Sequence, residues 1–323
     1  MNDNIKTYDI VILTYRPKDL IFKSLSIIKK QTIKPQRIII ANTEEAGFYE
    51  NITDKKAFDE LLNELKVKLI HIKKEEFDHG KTRNYAALLG NSKFILFMTD
   101  DAVPYDENMC ENLLGGFDEY SDRDSKVAVC YARQVPNANA SIKEKAIREF
   151  NYPDYDIIKE KSKHETLGIK NYFCSNVCAM YDREIFESLG KFEEDIILNE
   201  DTFYVYFAIN KGYKIVYKSN AKVYHSHNLS YKEQFSRNFD IGVSQQQKQE
   251  IFNSIKSEKE GGKLLKYTII KLLKGFHFIA LIDFIIDCAF RYFGYKTGRK
   301  FNTLTIEKCI KYSNNKLYFI KRK

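Results

Sequence analysis

The sequence predicts an α/β protein: a mostly parallel sheet flanked by helices, with a helical, basic, amphipathic C-terminal extension. Three observations predict it. Short apolar runs alternate with segments of helical period through the first hundred or so positions, the pattern of βαβ units. Runs such as "QRIIIAN" (36–42) and "KFILFMTD" (93–100) are almost continuously apolar, as in strands covered on both faces. The net charge of +8 is also uneven. Residues 254–323 carry 16 Lys and Arg against 5 Asp and Glu, and the first 253 carry 36 against 39.

The elements follow in order. "YDIVILT" (8–14) is the first strand. "PKDLIFKSLSIIKKQT" places Leu20, Ile21, Leu25 and Ile28 at helical spacing, opened near Pro17 or Asp19. Strand 36–42, helix 56–66 and strand "VKLIHI" (67–72) come next. "DHGKTRNYAALLGNS" (78–92) is a loop running into a helix before strand 93–100. Strand 126–134 and a helix ended by Pro153 follow, and the polar stretch 154–170 reads as a loop. Residues 172–190 hold a strand and a helix, 200–213 a helix closed by Gly212, and "KIVYKSNAKVYHSH" (214–227) one or two strands.

The chain is long enough for one large α/β domain and an appendage, and the polar, Gly-containing stretch 252–262 puts the boundary there: 1–253 and 254–323. No uncharged apolar stretch is long enough for a transmembrane helix, and the N-terminus reads as a strand and not a signal peptide. The six cysteines form no Cys-x-x-Cys pair and read as reduced core residues of a cytosolic protein. No G-x-G-x-x-G or P-loop follows the first strand, which argues against those nucleotide sites. The basic extension suits an anionic partner, and its helices suit either a membrane interface or packing on the main domain.

In an open α/β sheet, ligands sit beyond the carboxyl ends of the strands. Thr14, Tyr15 and Arg16, then Asn42, then Asp100 and Asp101 fall there. Two acids at one strand end suit a hard divalent cation. The competing reading is a helix cap, for which Asp106 is better placed. Arg83 and Asn84 lie near a helix start, where anions can be held. Glu200 and Asp201 open a helix, where acids also simply complement the dipole. His225 and His227 alternate onto one strand face, as ligands or as an exposed pair.

The ordered set "VILTYRP", "DHGKTRN", "FILFMTDDAVP", "YARQVP", "FNYP", "FCSNVCAMYDREIFESLGKFEE", "LNED", "GYKIVYKSNAKVYHSH" and "QFSRNFDIG" resembles the inverting family 2 glycosyltransferases of GT-A fold. It is most similar to the bacterial rhamnosyltransferase branch, which uses dTDP-rhamnose. The resemblance implies roles. Asp101, with His225, would hold Mg²⁺ or Mn²⁺, although "TDDA" replaces Asp-x-Asp. Asp201 would be the catalytic base, ionised at neutral pH, with Glu200 beside it. Thr14, Tyr15, Arg16, Asn42, Arg83, Asn84, Asp100 and Arg237 would face the donor, and Ser175, Asn176 and His227 the acceptor. Where many relatives carry an acid-rich motif after the second strand, this chain has "ANTEEAG". Asn238 stands where processive relatives carry Trp, so processivity is not implied.

The expected activity is inverting, metal-dependent transfer of rhamnose from dTDP-rhamnose to a saccharide or lipid-linked acceptor. It would serve polysaccharide synthesis for a capsule or cell wall, at the cytoplasmic face of the bacterial inner membrane and without nucleic acid as a partner. The alternatives are a transferase using another donor such as a UDP-sugar, a nucleotidyltransferase, for which "ILTYRPKDL" lacks the Gly-rich loop, and a non-catalytic adaptor.

Overall fold

The computed structural model describes residues 6–252 and 258–323. Strands β1 (Tyr8–Tyr15), β2 (Arg37–Thr43), β3 (Lys68–Ile72), β4 (Phe94–Thr99), β5 (Val103–Pro104), β6 (Val127–Val135), β7 (Ile157–Lys159), β8 (Cys178–Asp182) and β9 (Lys214–Tyr224) form one sheet. Its order is β3-β2-β1-β4-β8-β6-β9-β5, with β7 also paired to β9. β3, β2, β1 and β4 run parallel. β8 enters antiparallel between β4 and β6, and β6 pairs in parallel with β9. The GT-A-type sheet, mostly parallel by paired length, therefore carries one reversed strand at its centre.

The helices are α1 (Asp19–Ile28), α2 (Lys55–Glu64), α3 (His79–Ala87), α4 (Met109–Tyr120), α5 (Ile142–Asn151), α6 (His164–Leu167), α7 (Arg183–Ser188) and α8 (Glu200–Asn210). Then come α9 (Tyr231–Gln247), α10 (Gln249–Phe252), α11 (Glu258–Lys274), α12 (Phe278–Gly298), α13 (Ile306–Tyr312) and α14 (Lys316–Ile320). Alternate residues of β1 and β4 enter opposite cores. Ile10, Ile12, Leu96 and Met98 pack on one face, and Val11, Leu13, Ile95 and Phe97 on the other.

Three local readings change. The stretch 154–170 is not all loop: β7 adds to the edge of β9, and α6 makes one turn. The strand is three residues long and anchored by Asp156, which accepts from the Ser219 N–H and Oγ at 2.7 Å, so no local periodicity announced it. Asp106 is not the cap of α4. Asn108 holds that position, and Asp106 accepts its N–H at 2.9 Å in the turn before it. His225 and His227 lie just past the end of β9, not on it.

The expected domain boundary falls at residues 253–257, outside the described residues. Beyond them, α12 lies along α9 at very close range. A Cβ on Gly298 would sit 2.0 Å from the Phe239 carbonyl oxygen, and one on Gly294 2.3 Å from that of Phe235. These glycines let two helix backbones touch. No described helix is long and apolar enough to cross a membrane.

Gly298→Ala is expected to cost about 1–3 kcal/mol, because its neighbour is backbone and cannot rotate away. Gly115→Ala, with nothing within 4 Å of the added methyl, should instead stabilise by roughly 0.5–1 kcal/mol. Denaturant unfolding of the two variants measures the contrast.

Candidate active site

Register brings the first candidates together. Thr14 pairs with Asn42 across β1 and β2, and Asn42 with His71 across β2 and β3. Thr14 Oγ1 donates to Asp100 Oδ2 at 2.6 Å, so Asp100 turns towards β1 and away from Asp101. Burial, opposed by the Thr14 hydrogen bond and reinforced by Asp101, pushes the Asp100 carboxyl up to about 6. Asn42 is fully buried and donates to the Glu44 carbonyl, while its Oδ1 has no partner among the described residues. Tyr15 is exposed at the strand end. Arg16, in left-handed backbone (φ 49°), faces Glu50 at 3.4 Å and Glu44 at 3.9 Å.

Asp101 follows β4 in a tight turn, Ala102 N–H donating to the Thr99 carbonyl. β5 then pairs antiparallel with the end of β9, Val103 opposite Tyr224. That pairing delivers His225 and His227 to Asp101. Nε2 of His225 and of His227 lie 3.5 and 3.4 Å from Asp101 Oδ2. Pro104 belongs to this two-residue strand, and having no N–H is tolerated at such a position.

The protonation pattern suits a cation. Arg148 can only donate, and it meets Gln134 Oε1, which fixes that amide's orientation. His225 Nδ1, 2.8 Å from the same oxygen, must therefore carry a proton, which leaves Nε2 as the ring nitrogen turned towards Asp101. Burial, then the neighbouring His225, pushes His227 down to about 4. Burial pushes Asp101 up, but His225, Thr99 and His227 together hold it well below the usual carboxylate range. One carboxylate and two imidazoles whose ligand atoms lie within 4.8 Å of one another thus converge. Their separations match the edge between neighbouring ligands of an ion bound at roughly 2.1 Å.

On the other side of the loop 174–177, Gln134 Nε2 donates to Ser175 Oγ at 2.9 Å. The next residue, Asn176, holds both acids of α8: its backbone N–H donates to Asp201 Oδ2 at 3.2 Å and its Nδ2 to Glu200 Oε1 at 3.0 Å. Its Oδ1 accepts from Tyr181, so the buried Asn176, expected on the acceptor side, is bound on three sides by protein. Arg83 Nη1 donates to Glu200 Oε1 at 2.9 Å, both side chains being buried. Asn84 is stapled to the Phe192 backbone. The structure thus places Arg83 and Asn84 in the scaffold under the acids, with the Arg83 Nε alone lacking a partner among the described residues.

The two adjacent acids differ. Burial raises Glu200, but Arg83, His79 and Asn176 hold it net below its ordinary range. Burial and the charge of Glu200 push Asp201 up to about 7, against the N–H groups of Asn176 and Thr202. Half-buried Asp201 therefore holds a proton more readily than an ordinary carboxylate, which suits it to proton transfer. Asn199, at φ 73° with Nδ2 on Ser244 Oγ, sets the angle at which α8 begins. Arg237 lies apart from the strand ends, in a cavity it shares with His227. Gln134 and Arg148 escaped sequence reasoning. The strand-end rule applied to β6 would have found Gln134, whereas nothing local marks Arg148.

The model of Glycosyl transferase family 2 matches residues 9–190. The chain is 34% identical over 313 residues to the O-antigen chain rhamnosyltransferase RfbN of Salmonella typhimurium, covering 96% of this chain and 95% of that protein. It is also 34% identical to the O-antigen chain rhamnosyltransferase WbaN of Salmonella anatum, over 90% of this chain and 88% of that one. The fold matches mannosyltransferase PcManGT of Pyrobaculum calidifontis, solved with GDP-Man and Mn²⁺, at a TM-score of 0.51 and 13% identity over 97% of this chain and 84% of that chain.

Mn²⁺ titration followed by electron paramagnetic resonance should show one site that Asp101→Asn abolishes. Gln134→Leu, which frees the His225 tautomer, should weaken it by about 10–100-fold. Undiminished Mn²⁺ binding in Asp101→Asn would remove the trio as the site.

Proposed function

This chain belongs to glycosyl transferase family 2 and is a glycosyltransferase, and we propose that it moves rhamnose from dTDP-rhamnose to a saccharide or lipid-linked acceptor in polysaccharide synthesis, with inversion. The observation that carries the mechanism is the frame that joins Asp201, held by the Asn176 N–H, through Ser175 and Gln134 to His225 of the carboxylate–imidazole trio. Support for the sugar is the rhamnosyl activity named for the two relatives at 34% identity.

Asp201 takes the proton of the acceptor hydroxyl, whose oxygen attacks the anomeric carbon in line as the nucleoside diphosphate leaves. Glu200 stays ionised against Arg83, keeps Asp201 in place and sustains its raised pKa. Thr14, Tyr15, Arg16, Asn42 and Asp100 form the strand-end surface for the nucleoside, with the exposed Tyr15 ring as a stacking face and Asn42 Oδ1 as a free acceptor. Asp101, His225 and His227 would hold a divalent cation, whose charge neutralises the departing diphosphate. Two imidazoles favour Mn²⁺ over Mg²⁺, which prefers oxygen ligands.

We place the enzyme peripherally on the cytoplasmic face of the inner membrane, with residues 254–323 as the membrane-facing region. The turn between α11 and α12 and the outer face of α12 bare Phe276 (79% exposed), Phe278, Ile279 (87%), Ile282, Ile285 and Phe293, with Lys266, Lys274 and Lys296 exposed nearby. A soluble monomer rarely exposes so continuous an apolar stripe, and an anionic lipid interface satisfies both its halves.

Asp201→Asn should lower kcat about 10²–10⁴-fold while leaving dTDP-rhamnose binding intact. Because the base must be deprotonated, kcat/KM should rise with pH to a plateau above about 7. Glu200→Gln removes a charge that raises the Asp201 pKa, so that limb should move to lower pH. Full turnover in Asp201→Asn, or transfer from UDP-sugars in place of dTDP-rhamnose in a donor panel, would refute the base or the donor respectively. The full chain should float with anionic vesicles and lose that behaviour on joint Phe276→Ser and Ile279→Ser substitution. A wild-type protein that stays in solution would refute the membrane placement.

A further inference from the structure

A cavity of about 860 Å³ opens beside the active site, between α5, the 155–173 segment and the helices α9, α11 and α12. None of Thr14–Arg16, Asn42 or Asp100–Asp101 lines it, so it is not the strand-end nucleoside surface. His227 of the trio lines it, and so do Tyr152 and Arg148. The cavity thus reaches one proposed metal ligand, and Arg148 in its wall meets Gln134, whose partner Ser175 precedes the Asn176 that holds the proposed base.

Its charge is lopsided. Six basic side chains line it against three acidic ones. Glu149 faces Lys271, and Glu260 pairs with Lys170 and Lys263. Lys159, which donates to the Phe173 carbonyl, and three guanidiniums remain: Arg148 from α5, Arg237 from α9 and Arg291 from α12. Arg148 is held at 2.7 Å by Glu144 and Arg291 at 2.5 Å by Asp287. Arg237 makes no hydrogen bond or ion pair among the described residues. Its side chain is exposed in the cavity, which it shares with the like charges of Arg148 and Arg291. Three guanidiniums in one recess repel one another, and an anion set among them relieves that repulsion. The fork geometry of guanidinium matches phosphate oxygens. Opposite walls offer the rings of Phe173 and Tyr155, 38% and 64% exposed, as apolar faces for sugar rings.

We propose that this cavity is the acceptor site and that Arg148, Arg237 and Arg291 together bind a phosphate or diphosphate ester carried by the acceptor. The inference rests on the reading of Asp201 as the base that receives the acceptor hydroxyl. The charge cluster also explains the architecture. Arg291 belongs to α12, so the close α9–α12 contact completes the site and does not merely bury surface.

The test is calorimetry of inorganic pyrophosphate with the full chain in EDTA, so that no metal can hold the anion. Wild-type protein should bind it, and Arg237→Gln and Arg291→Gln should each weaken binding about tenfold or more. Arg237→Gln breaks no pair and is the cleaner variant; thermal melting checks that Arg291→Gln, which strips a partner from buried Asp287, stays folded. Mn²⁺-dependent dTDP binding should be unchanged in the same variants. Pyrophosphate that binds only with Mn²⁺, or that binds the variants as tightly as wild type, overturns the proposal. An equal loss of dTDP binding in the variants also overturns it, because the anion is then the donor's own diphosphate. In steady-state assays the KM for a glycosyl-diphosphate acceptor should rise in the variants, while that for the matching unphosphorylated sugar should not; equal changes in both overturn it. Metal-free pyrophosphate binding is independent of which sugar is moved. A failure of rhamnosyl transfer with that binding intact therefore discards the donor assignment and leaves the anion site standing.

Discussion

The site depends on one buried ion pair. Arg83 from α3 and Glu200 from α8 meet at 2.9 Å with both side chains almost fully buried. Removing either partner from such a pair leaves an uncompensated charge, a loss on the order of 3–5 kcal/mol. The pair ties the parallel half of the sheet to the helix that presents Asp201. It also holds Glu200 ionised, and that fixed negative charge helps keep the neighbouring Asp201 near neutral pKa. Asn176 completes the unit by gripping both carboxylates from the loop before β8. The cost of burying charge is thereby converted into a pKa difference between two consecutive acids, and with it a division of labour: one structural, one free to exchange a proton.

A second constraint acts through strand pairing. Asp101 and His225 lie 124 positions apart in sequence. They meet because the two residues of β5 pair with the last residues of β9. Gln134, at the end of β6, then sets which nitrogen of His225 is free and continues through Ser175 towards the Asn176–Asp201 side. Trio and base are thus two ends of one hydrogen-bonded frame across the 174–177 loop. A shift of one residue in the β6–β9 register would move both, since His225 N–H itself donates to the Val135 carbonyl.

The C-terminal helices pack directly on the rest of the fold through α9. Glycines 294 and 298 bring α12 onto α9 with no side chain between the backbones, and Arg291, one turn earlier, then reaches the cavity that His227 enters. The same helix turns its opposite face outward as a stripe of isoleucine and phenylalanine. One helix therefore carries both a wall of the cavity and an apolar outer surface, a geometry suited to an acceptor held near a lipid interface.

Much of this was legible in the sequence. Continuous apolar runs with polar ends defined β1, β2 and β4 and placed Thr14, Asn42 and Asp100–Asp101 at their carboxyl edge, because strand period and burial are local properties. The order of motifs singled out Asp201 and His225 as candidates. What no local pattern could show was pairing over long sequence distances: that Arg83 and Asn84 turn inward to scaffold, that Asp100 binds Thr14 while Asp101 joins two histidines, and that Arg148, Arg237 and Arg291 converge from three helices. The three-residue β7 was invisible for the same reason, since its partner strand and Asp156 stabilise it and its own residues do not. Sequence by itself determined the sheet, the family and the kinds of group at the strand ends. Only the tertiary structure decided which of those groups face one another, because burial and partner charge, and not residue type, set protonation and reach.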